Sequence, residues 1–182
     1  MFVGCDLRPA AVAKSSKVLD SPAAQVEPGN EIRLDRRKLE PEPFKPWSEE
    51  DPVVARLITS QENANLGEAF ELSVVLILDP DYEIYSLDAS APKIPTLLEL
   101  ELPPGFTAID EWKSPTPVRS FNPGNESVYL GEAKFMRKIH ISSGTEPGDY
   151  LLVCSVSYQA CNSRQCLRPI RSVLSITMTV SP

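Results

Sequence analysis

Histidine, long apolar runs and basic charge are all scarce in this chain, and each scarcity excludes a class of protein. His140 is the only histidine, which rules out a multi-histidine metal site and disfavours a Ser-His-Asp catalytic triad. No apolar run reaches the roughly 18 residues that a membrane-spanning helix needs. The net charge of −7 argues against a nucleic acid partner, because phosphate binding requires a basic face. A Gly-rich phosphate-binding loop is also missing.

Proline is the residue in excess. It accounts for 18 of the 182 residues, about twice the usual share of roughly 5%. Only 8 glycines are present, and few segments show a sustained helical period. This composition predicts a β-protein with Pro-rich connections, and the length suits one domain with an appendage.

Residues 1–51 have the composition of a tether rather than of a folded unit. Charged residues, Ala, Ser and Pro dominate, and no period of a helix or strand is sustained. The segment Glu40–Trp47 is rich in proline, which favours an extended polyproline conformation. Phe2-Val3-Gly4-Cys5 resembles the end of a bacterial lipobox, which predicts a membrane anchor at Cys5. An incidental cysteine near a start codon is the alternative.

Strand signals recur from residue 52 to the C terminus. Apolar and polar residues alternate in seven segments: Val53–Thr59, Phe70–Leu78, Tyr82–Tyr85, Leu98–Leu102, Val128–Ile141, Tyr150–Tyr158 and Ser172–Val180. The pattern predicts seven to nine strands and no helix. It is typical of an all-β, immunoglobulin-like antiparallel β-sandwich over residues 52–182.

Two of the four cysteines, Cys161 and Cys166, are separated by four residues between the last two strands. A short loop that bends back on itself can bring their Cα atoms within the roughly 4.4–6.8 Å that a disulfide needs. By chain entropy, a bond closing so short a loop contributes roughly 2 kcal/mol. The pair is therefore either a structural staple or, because it stabilises little and lies at a strand end, a redox-active bond.

The other cysteine signals are weaker. Cys154 lies on the apolar face of its strand, which predicts a buried, inert thiol. Arg164, Arg168 and Arg171 bring positive charge near the pair and would favour a thiolate, although exposed arginines are more often simply solvated. A Cys-x4-Cys spacing without a second pair of ligands makes a poor zinc site. The sequence indicates no metal and no cofactor.

Two segments around these cysteines, Tyr158-Gln159-Ala160-Cys161 and Cys166-Leu167-Arg168-Pro169, carry a family resemblance. They resemble the N-terminal periplasmic domain of DsbD, the transmembrane thiol:disulfide interchange protein, which has a Tyr-Gln-small-Cys segment, a short loop, a second Cys and a nearby Pro. The resemblance covers about residues 53–181. It implies an immunoglobulin-like fold, a periplasmic or other extracytoplasmic location, and a reversible Cys161–Cys166 disulfide.

The family also has a cap loop over the cysteines, with an Asp-Glu pair followed by an aromatic residue. Asp110-Glu111-Trp112 is similar, with Trp where Phe is usual, and the resemblance implies that Trp112 shields the disulfide while the carboxylates accept or relay a proton. Tyr82 and Tyr85 resemble an aromatic strand beside the active site, and Tyr158 directly precedes the motif. Without the family, the acidic pair is a solvent-exposed turn and the tyrosines are core or cross-strand aromatics.

The resemblance implies an extracytoplasmic thiol:disulfide exchange domain, a component of a protein-disulfide reductase, that passes electrons to or from thioredoxin-like partners. Cys166 would form the mixed disulfide with the partner and Cys161 would resolve it. In full-length members of the family a transmembrane domain and a thioredoxin-like domain supply the electrons. The alternative is a membrane-tethered immunoglobulin-like interaction or scaffold module whose disulfide is purely structural.

Overall fold

The computed structural model describes residues 47–122 and 125–182, and its regular elements in these ranges are all strands. They run in the order β1 (Val53–Thr59), β2 (Asn63–Asn65), β3 (Ala69–Leu78), β4 (Glu83–Tyr85), β5 (Leu97–Glu101), β6 (Phe106–Ala108), β7 (Val118–Arg119), β8 (Ser127–Leu130), β9 (Glu132–Ile141), β10 (Gly148–Tyr158), β11 (Ala160–Cys161) and β12 (Ile170–Ser181). The predicted all-β, immunoglobulin-like sandwich is confirmed. No helix able to span a membrane occurs in the described part of the chain.

The strands form three four-stranded sheets. Their orders are β1-β3-β9-β6, β2-β12-β10-β5 and β11-β4-β8-β7. Strand β2 pairs in parallel with β12, whereas the other pairings between these strands are antiparallel. The long hairpin of β10 and β12 keeps eleven residues of each strand in register, from Gly148 opposite Val180 to Tyr158 opposite Ile170.

The core lies between the first two sheets and is built by strict alternation of apolar side chains. The inward residues of β3 are at most 3% exposed: Phe70, Leu72, Val74, Leu76 and Leu78. Buried residues of β10 and β12 join them in one cluster: Leu152, Cys154, Val156, Tyr158, Met178 and Val180. Because full burial of a large apolar side chain contributes about 1.5–3 kcal/mol, this interface is the main source of rigidity for the strand ends beyond it.

The third sheet has two differently occupied faces. Ile84, Tyr129 and Ala160 point into the main core. On the opposite face Tyr85, Val128 and Cys161 form a small separate cluster, with Ala89 and Leu130 packed against it. Gly131, at a positive φ of 62°, connects β8 of this sheet to β9 of the first sheet. Its carbonyl accepts the N–H of Leu78 at 2.7 Å, which ties the two sheets together.

Some residues assigned from the sequence to the tether contact the sandwich. The indole N–H of Trp47 donates to the carbonyl of Ile77 at 3.0 Å, and the carboxylate of Asp51 accepts the hydroxyl of Tyr158 at 2.9 Å. The rest of the predicted tether, residues 1–46 with Cys5, lies outside the described residues.

The structure also contains more strands than the seven to nine expected. The additional ones are short, with two or three residues each: β2, β6, β7 and β11. Segments of this length are too short to show an alternating pattern, because a period of two needs about four residues to be recognised. They are strands only because they lie beside longer partners.

Candidate redox site

Cys161 and Cys166 form a disulfide at the end of β11, with a Cα–Cα distance of 4.0 Å. The loop between them is a turn organised by Asn162. Its side-chain oxygen accepts the N–H groups of Arg164 and Gln165 at 2.9 and 3.0 Å, and its own N–H donates to the carbonyl of Gln165 at 2.9 Å. A side chain that bonds the backbone two residues ahead is the usual way in which asparagine closes a turn. The turn returns the chain so that the two cysteines form a bridge across from each other.

The two cysteines differ in exposure. Cys161 is 1% exposed, because it lies on the sheet face that is covered by the small apolar cluster. Cys166 is exposed, on the returning side of the turn. Thiol–disulfide exchange requires a collinear approach of one sulfur to another, so access decides which sulfur is attacked. Of the two residues, Cys166 is therefore the more accessible to an incoming thiol or disulfide.

The hydroxyl of Tyr85 contacts both sulfurs. Its oxygen is 3.7 Å from Sγ of Cys161 and 3.9 Å from Sγ of Cys166. A disulfide carries no S–H, so the hydroxyl is the donor in this state. Tyr85 is 5% exposed, and its backbone carbonyl accepts the hydroxyl of the buried Thr96 at 2.6 Å. A hydrogen bond to a sulfur that becomes negative is stronger than one to a neutral sulfur, so Tyr85 favours formation of a thiolate at this site.

Lys93 places a positive charge beside Tyr85. Its Nζ is 5.3 Å from the centroid of the tyrosine ring and 3.6 Å from a carboxylate oxygen of Glu126. A side-chain hydrogen bond with Tyr85, together with charge attraction to it, raises the pKa of Lys93. The ammonium group of Lys93 thus lies beside the ring of the tyrosine whose hydroxyl contacts both sulfurs.

Glu83 lies directly opposite Cys161 in the pairing of β4 with β11. It is 3% exposed. Its Oε1 accepts the hydroxyl of Ser120 at 2.5 Å and the side-chain amide of Asn122 at 2.7 Å. Oε2 is buried and has no hydrogen-bond partner among the described residues. A carboxylate is thus held beside the buried sulfur with one oxygen uncommitted.

A cavity of about 440 Å³ opens beside Cys161. Its lining includes Glu83, Tyr82, Arg164 and the aromatic ring of Phe121. Phe121 is 83% exposed, although the neighbouring Ser120 and Asn122 are fixed to Glu83. Phe121 is the most exposed of the large apolar side chains among the described residues.

The acidic pair and aromatic residue predicted as a cap lie along β9. Asp110 accepts the backbone N–H of Lys138 at 2.9 Å, which is the main reason that the pKa of Asp110 is lowered. Glu111 is 3.8 Å from the guanidinium of Arg137, and that group lies 5.8 Å from the Trp112 ring. Among the described residues no hydrogen bond or ion pair joins these three to Cys161 or Cys166. Their role as a cap stays a prediction.

The three tyrosines selected from the sequence are placed differently. Tyr85 touches the sulfurs, and Tyr82 lines the cavity beside Cys161. Tyr158 is fully buried in the main core, where burial and its hydrogen bond to Asp51 raise its pKa. It therefore supports the strand that leads to the motif.

The structure also places the remaining thiol and the three arginines near the motif. Cys154 is free and buried, as predicted, and burial raises the pKa of its thiol to about 11. Arg171 is engaged on the sandwich surface, where it contacts Glu99 at 3.0 Å and Ser155 at 3.1 Å. Arg164 lines the cavity, and Arg168 is exposed.

Sequence reasoning missed Glu83, Lys93 and Phe121. A signal for Glu83 exists, because a charged residue between two tyrosines interrupts a short strand that is otherwise apolar. Phe121 precedes the sequence Asn-Pro-Gly, a pattern that favours a turn and so predicts an exposed position. Lys93 lies in an irregular segment, and no local pattern marks it.

No protein-family model and no curated protein matches the chain. Similar solved structures include the N-terminal periplasmic domain of ScsB from Proteus mirabilis, at 13% identity and a TM-score of 0.49, with 75% of this chain and 49% of that one covered. The chain thus spans about half the length of that structure. The N-terminal domain of DsbD from Neisseria meningitidis in the reduced form has 17% identity and a TM-score of 0.41, with coverage of 70% and 90%.

A third similar structure is a cohesin–dockerin complex from Clostridium thermocellum, at 15% identity and a TM-score of 0.38, with coverage of 70% and 99%. At these identities the likeness is one of fold. The N-terminal domain of DsbD, which the motif resembles, is thus among the similar solved structures.

Proposed function

We propose that this protein is an extracytoplasmic thiol:disulfide exchange domain that passes electrons to or from thioredoxin-like partners through Cys161 and Cys166. The observation that carries the proposal is the unequal exposure of the two cysteines, since Cys166 is exposed and Cys161 is buried, with a single hydroxyl in contact with both sulfurs. A purely structural disulfide needs neither the exposed member nor the polar contact.

The exchange proceeds in two displacements, and Cys166 carries the mixed disulfide between them in either direction. In reduction of the domain, a thiolate of the partner attacks Sγ of Cys166, the Cys161–Cys166 bond breaks, and Cys161 leaves with the electron pair. The partner's second cysteine, as a thiolate, then attacks the partner's first sulfur in the mixed disulfide. Cys166 is released as a thiolate, and the partner is left with an intramolecular disulfide. In the opposite direction Cys166 attacks a partner disulfide and Cys161 resolves the adduct.

Tyr85 supports either direction because negative charge develops on both sulfurs in turn. Its hydroxyl lies within 4 Å of each sulfur, so it donates to whichever sulfur carries the charge. Donors fixed in advance where charge develops lower an activation barrier without having to reorganise. Lys93 behind the ring reinforces this donation.

Phe121 and the cavity beside Cys161 are the contact that we propose for the partner. The partner's reactive sulfur must approach the exposed Cys166, and apolar surface around it supplies binding energy. The periplasmic location and the anchor at Cys5 belong to the same proposal, as does an electron donor in the membrane.

The test combines a redox titration with a trapping experiment in the full chain carrying Cys5→Ser. Equilibration against a glutathione series is expected to give a potential in the range of exchange proteins, about −270 to −120 mV. A Cys161→Ala variant, incubated with an oxidised thioredoxin-fold protein, is expected to accumulate a mixed disulfide through Cys166.

The matched control is Cys166→Ala, which leaves only the buried sulfur and is expected to form no adduct. A potential below about −300 mV, with no adduct in either variant, would refute the proposal. The disulfide would then be a staple in an immunoglobulin-like interaction module.

A further inference from the structure

We propose that Glu83 is the proton acceptor for Cys161 when this cysteine resolves the mixed disulfide. The inference rests on the exchange function proposed above and identifies a carboxylate that was not among the residues selected from the sequence. It starts from register: Glu83 and Cys161 are paired residues of β4 and β11. Side chains of paired residues project from the same face of a sheet, with Cβ atoms about 4.5–5.5 Å apart.

The uncommitted oxygen of Glu83 is the second observation. Oε1 is saturated by Ser120 and Asn122, whereas Oε2 is buried without a partner among the described residues. Buried polar atoms are nearly always hydrogen-bonded, so such an atom needs an explanation. In the disulfide state Cys161 has no S–H to offer. Reduction or mixed-disulfide formation creates an S–H group on Cys161, and this group supplies Oε2 of Glu83 with a donor.

The burial of Cys161 makes an internal acceptor necessary. A thiol that is 1% exposed cannot readily lose its proton to water, and burial disfavours the thiolate that must attack. A neighbouring carboxylate removes the obstacle by holding the proton while the sulfur attacks.

The step balances as follows. Glu83 takes the proton from the Cys161 thiol, the Cys161 thiolate attacks Sγ of Cys166, and the intermolecular disulfide breaks. The partner's sulfur leaves with the electron pair as a thiolate. The carboxylic acid of Glu83 then returns its proton to solvent or to the departing sulfur through the cavity, which both Glu83 and Cys161 line.

Other titratable groups also surround this pair. Asp81, Tyr82 and Arg164 line the same cavity, Tyr85 touches the sulfurs, and Lys93 lies behind Tyr85. Among the described residues no lysine or arginine forms an ion pair with Glu83. Cys161 is the thiol that lies opposite Glu83 on the paired strand.

The test resolves the reactions of the two cysteines in time with dithiobis(nitrobenzoate), a small aromatic disulfide. Each displacement on this reagent releases a coloured thiolate. The reduced full chain carrying Cys5→Ser is mixed with the reagent in a stopped-flow instrument. The first phase of colour reports attack by Cys166, and the second phase reports resolution by Cys161. Glu83→Gln is the informative variant, because its amide oxygen still accepts from Ser120 and Asn122 while the basic oxygen is lost.

We expect Glu83→Gln to slow the second phase by a factor on the order of 10², the usual contribution of a positioned acid or base. The first phase should be unchanged. Raising the pH should restore the second phase, because hydroxide then removes the proton, and Glu83→Asp should recover part of the rate at neutral pH. Glu101→Gln, an exposed carboxylate on β5, is the matched control and should leave both phases unchanged.

A second phase in Glu83→Gln that is as fast as in the parent, or faster, would overturn the proposal. Faster resolution would show that the carboxylate only repels the thiolate. A slower second phase that does not recover with pH would indicate a structural role and would equally overturn it. The proposed exchange function is tested separately by the first phase, since its complete absence would mean that Cys166 does not react.

Discussion

Removal of the Tyr85 hydroxyl is the most direct perturbation of the site. Tyr85→Phe deletes the one oxygen that lies 3.7 and 3.9 Å from the two sulfurs. The ring stays in the small cluster with Val128 and Cys161. Thr96 bonds the backbone carbonyl of residue 85, so this contact is also retained. The change therefore isolates a single donor.

The size of the effect follows from the charge that develops on sulfur. A hydrogen bond to a charged group contributes about 1.5–3 kcal/mol, and each 1.36 kcal/mol corresponds to about a factor of ten in rate. We expect reduction of the Cys161–Cys166 disulfide by excess dithiothreitol to slow by roughly 10- to 150-fold. The free energy of unfolding of the oxidised protein should change by less than about 1 kcal/mol, because the lost contact is to a neutral sulfur.

The assay is the appearance of free thiols under pseudo-first-order conditions, together with urea unfolding of the oxidised protein. Tyr150→Phe is the matched control, since it removes the same atom where the hydroxyl donates to the carbonyl of Glu146 at 2.7 Å. An unchanged rate in Tyr85→Phe would refute the role given to the hydroxyl. A rate loss of the same size in Tyr150→Phe would show that the effect is not specific to the site.

Three further predictions follow from other features of the fold. Lys93→Met should slow reduction of the disulfide in the parent protein but cause no further slowing in Tyr85→Phe, because Lys93 acts through the Tyr85 hydroxyl. The control is Lys134→Met, which removes an exposed lysine whose Nζ is 3.9 Å from Glu71. Additive rate losses in the double variant would contradict the coupling of Lys93 to Tyr85. Gly105→Ala should destabilise the domain by about 1–3 kcal/mol in urea unfolding, because Gly105 has φ +88° and a Cβ would lie 2.3 Å from Oγ1 of Thr145; unchanged stability would refute this strain. Cys154 should resist alkylation at mildly alkaline pH, because burial raises the pKa of its thiol in the folded protein to about 11. The contribution of the protonated thiol to the free energy of unfolding is therefore full below the ordinary pKa of 9.0 and is lost as the pH rises through about 11. Rapid labelling of Cys154 in the native protein, followed by mass spectrometry, would contradict this last expectation.

The parts of the fold that the sequence predicted are those with long alternation. Strands β3, β10 and β12 are ten to twelve residues long and alternate between more and less buried positions over most of their length, so their period of two is visible without a partner. Strand β11 has two residues, and its existence depends on β4, which lies more than 70 residues earlier in the chain. Pairing over such a distance is not encoded in any local pattern.

The same difference explains the candidate site. Cys161 and Cys166 are recognisable because only four residues separate them and a motif surrounds them. Glu83 becomes relevant only through the register that sets it opposite Cys161. Lys93 reaches Tyr85 from an irregular segment, so its position depends on the path of that segment rather than on periodicity. Asp110 and Glu111 matched the family's acidic pair by residue type alone. In the structure both contact residues of β9.

The division of the third sheet into two faces has a consequence for protein engineering. Ile84 and Ala160 belong to the scaffold, whereas Tyr85 and Cys161, their immediate neighbours in sequence, belong to a cluster of few members on the other side. Substitutions at Val128, Ala89 or Leu130 therefore change the medium around the sulfurs without passing through the main core. A library of variants confined to the face of the third sheet that carries Cys161 can therefore vary the reactivity of the disulfide, while the face that packs into the main core keeps the domain folded.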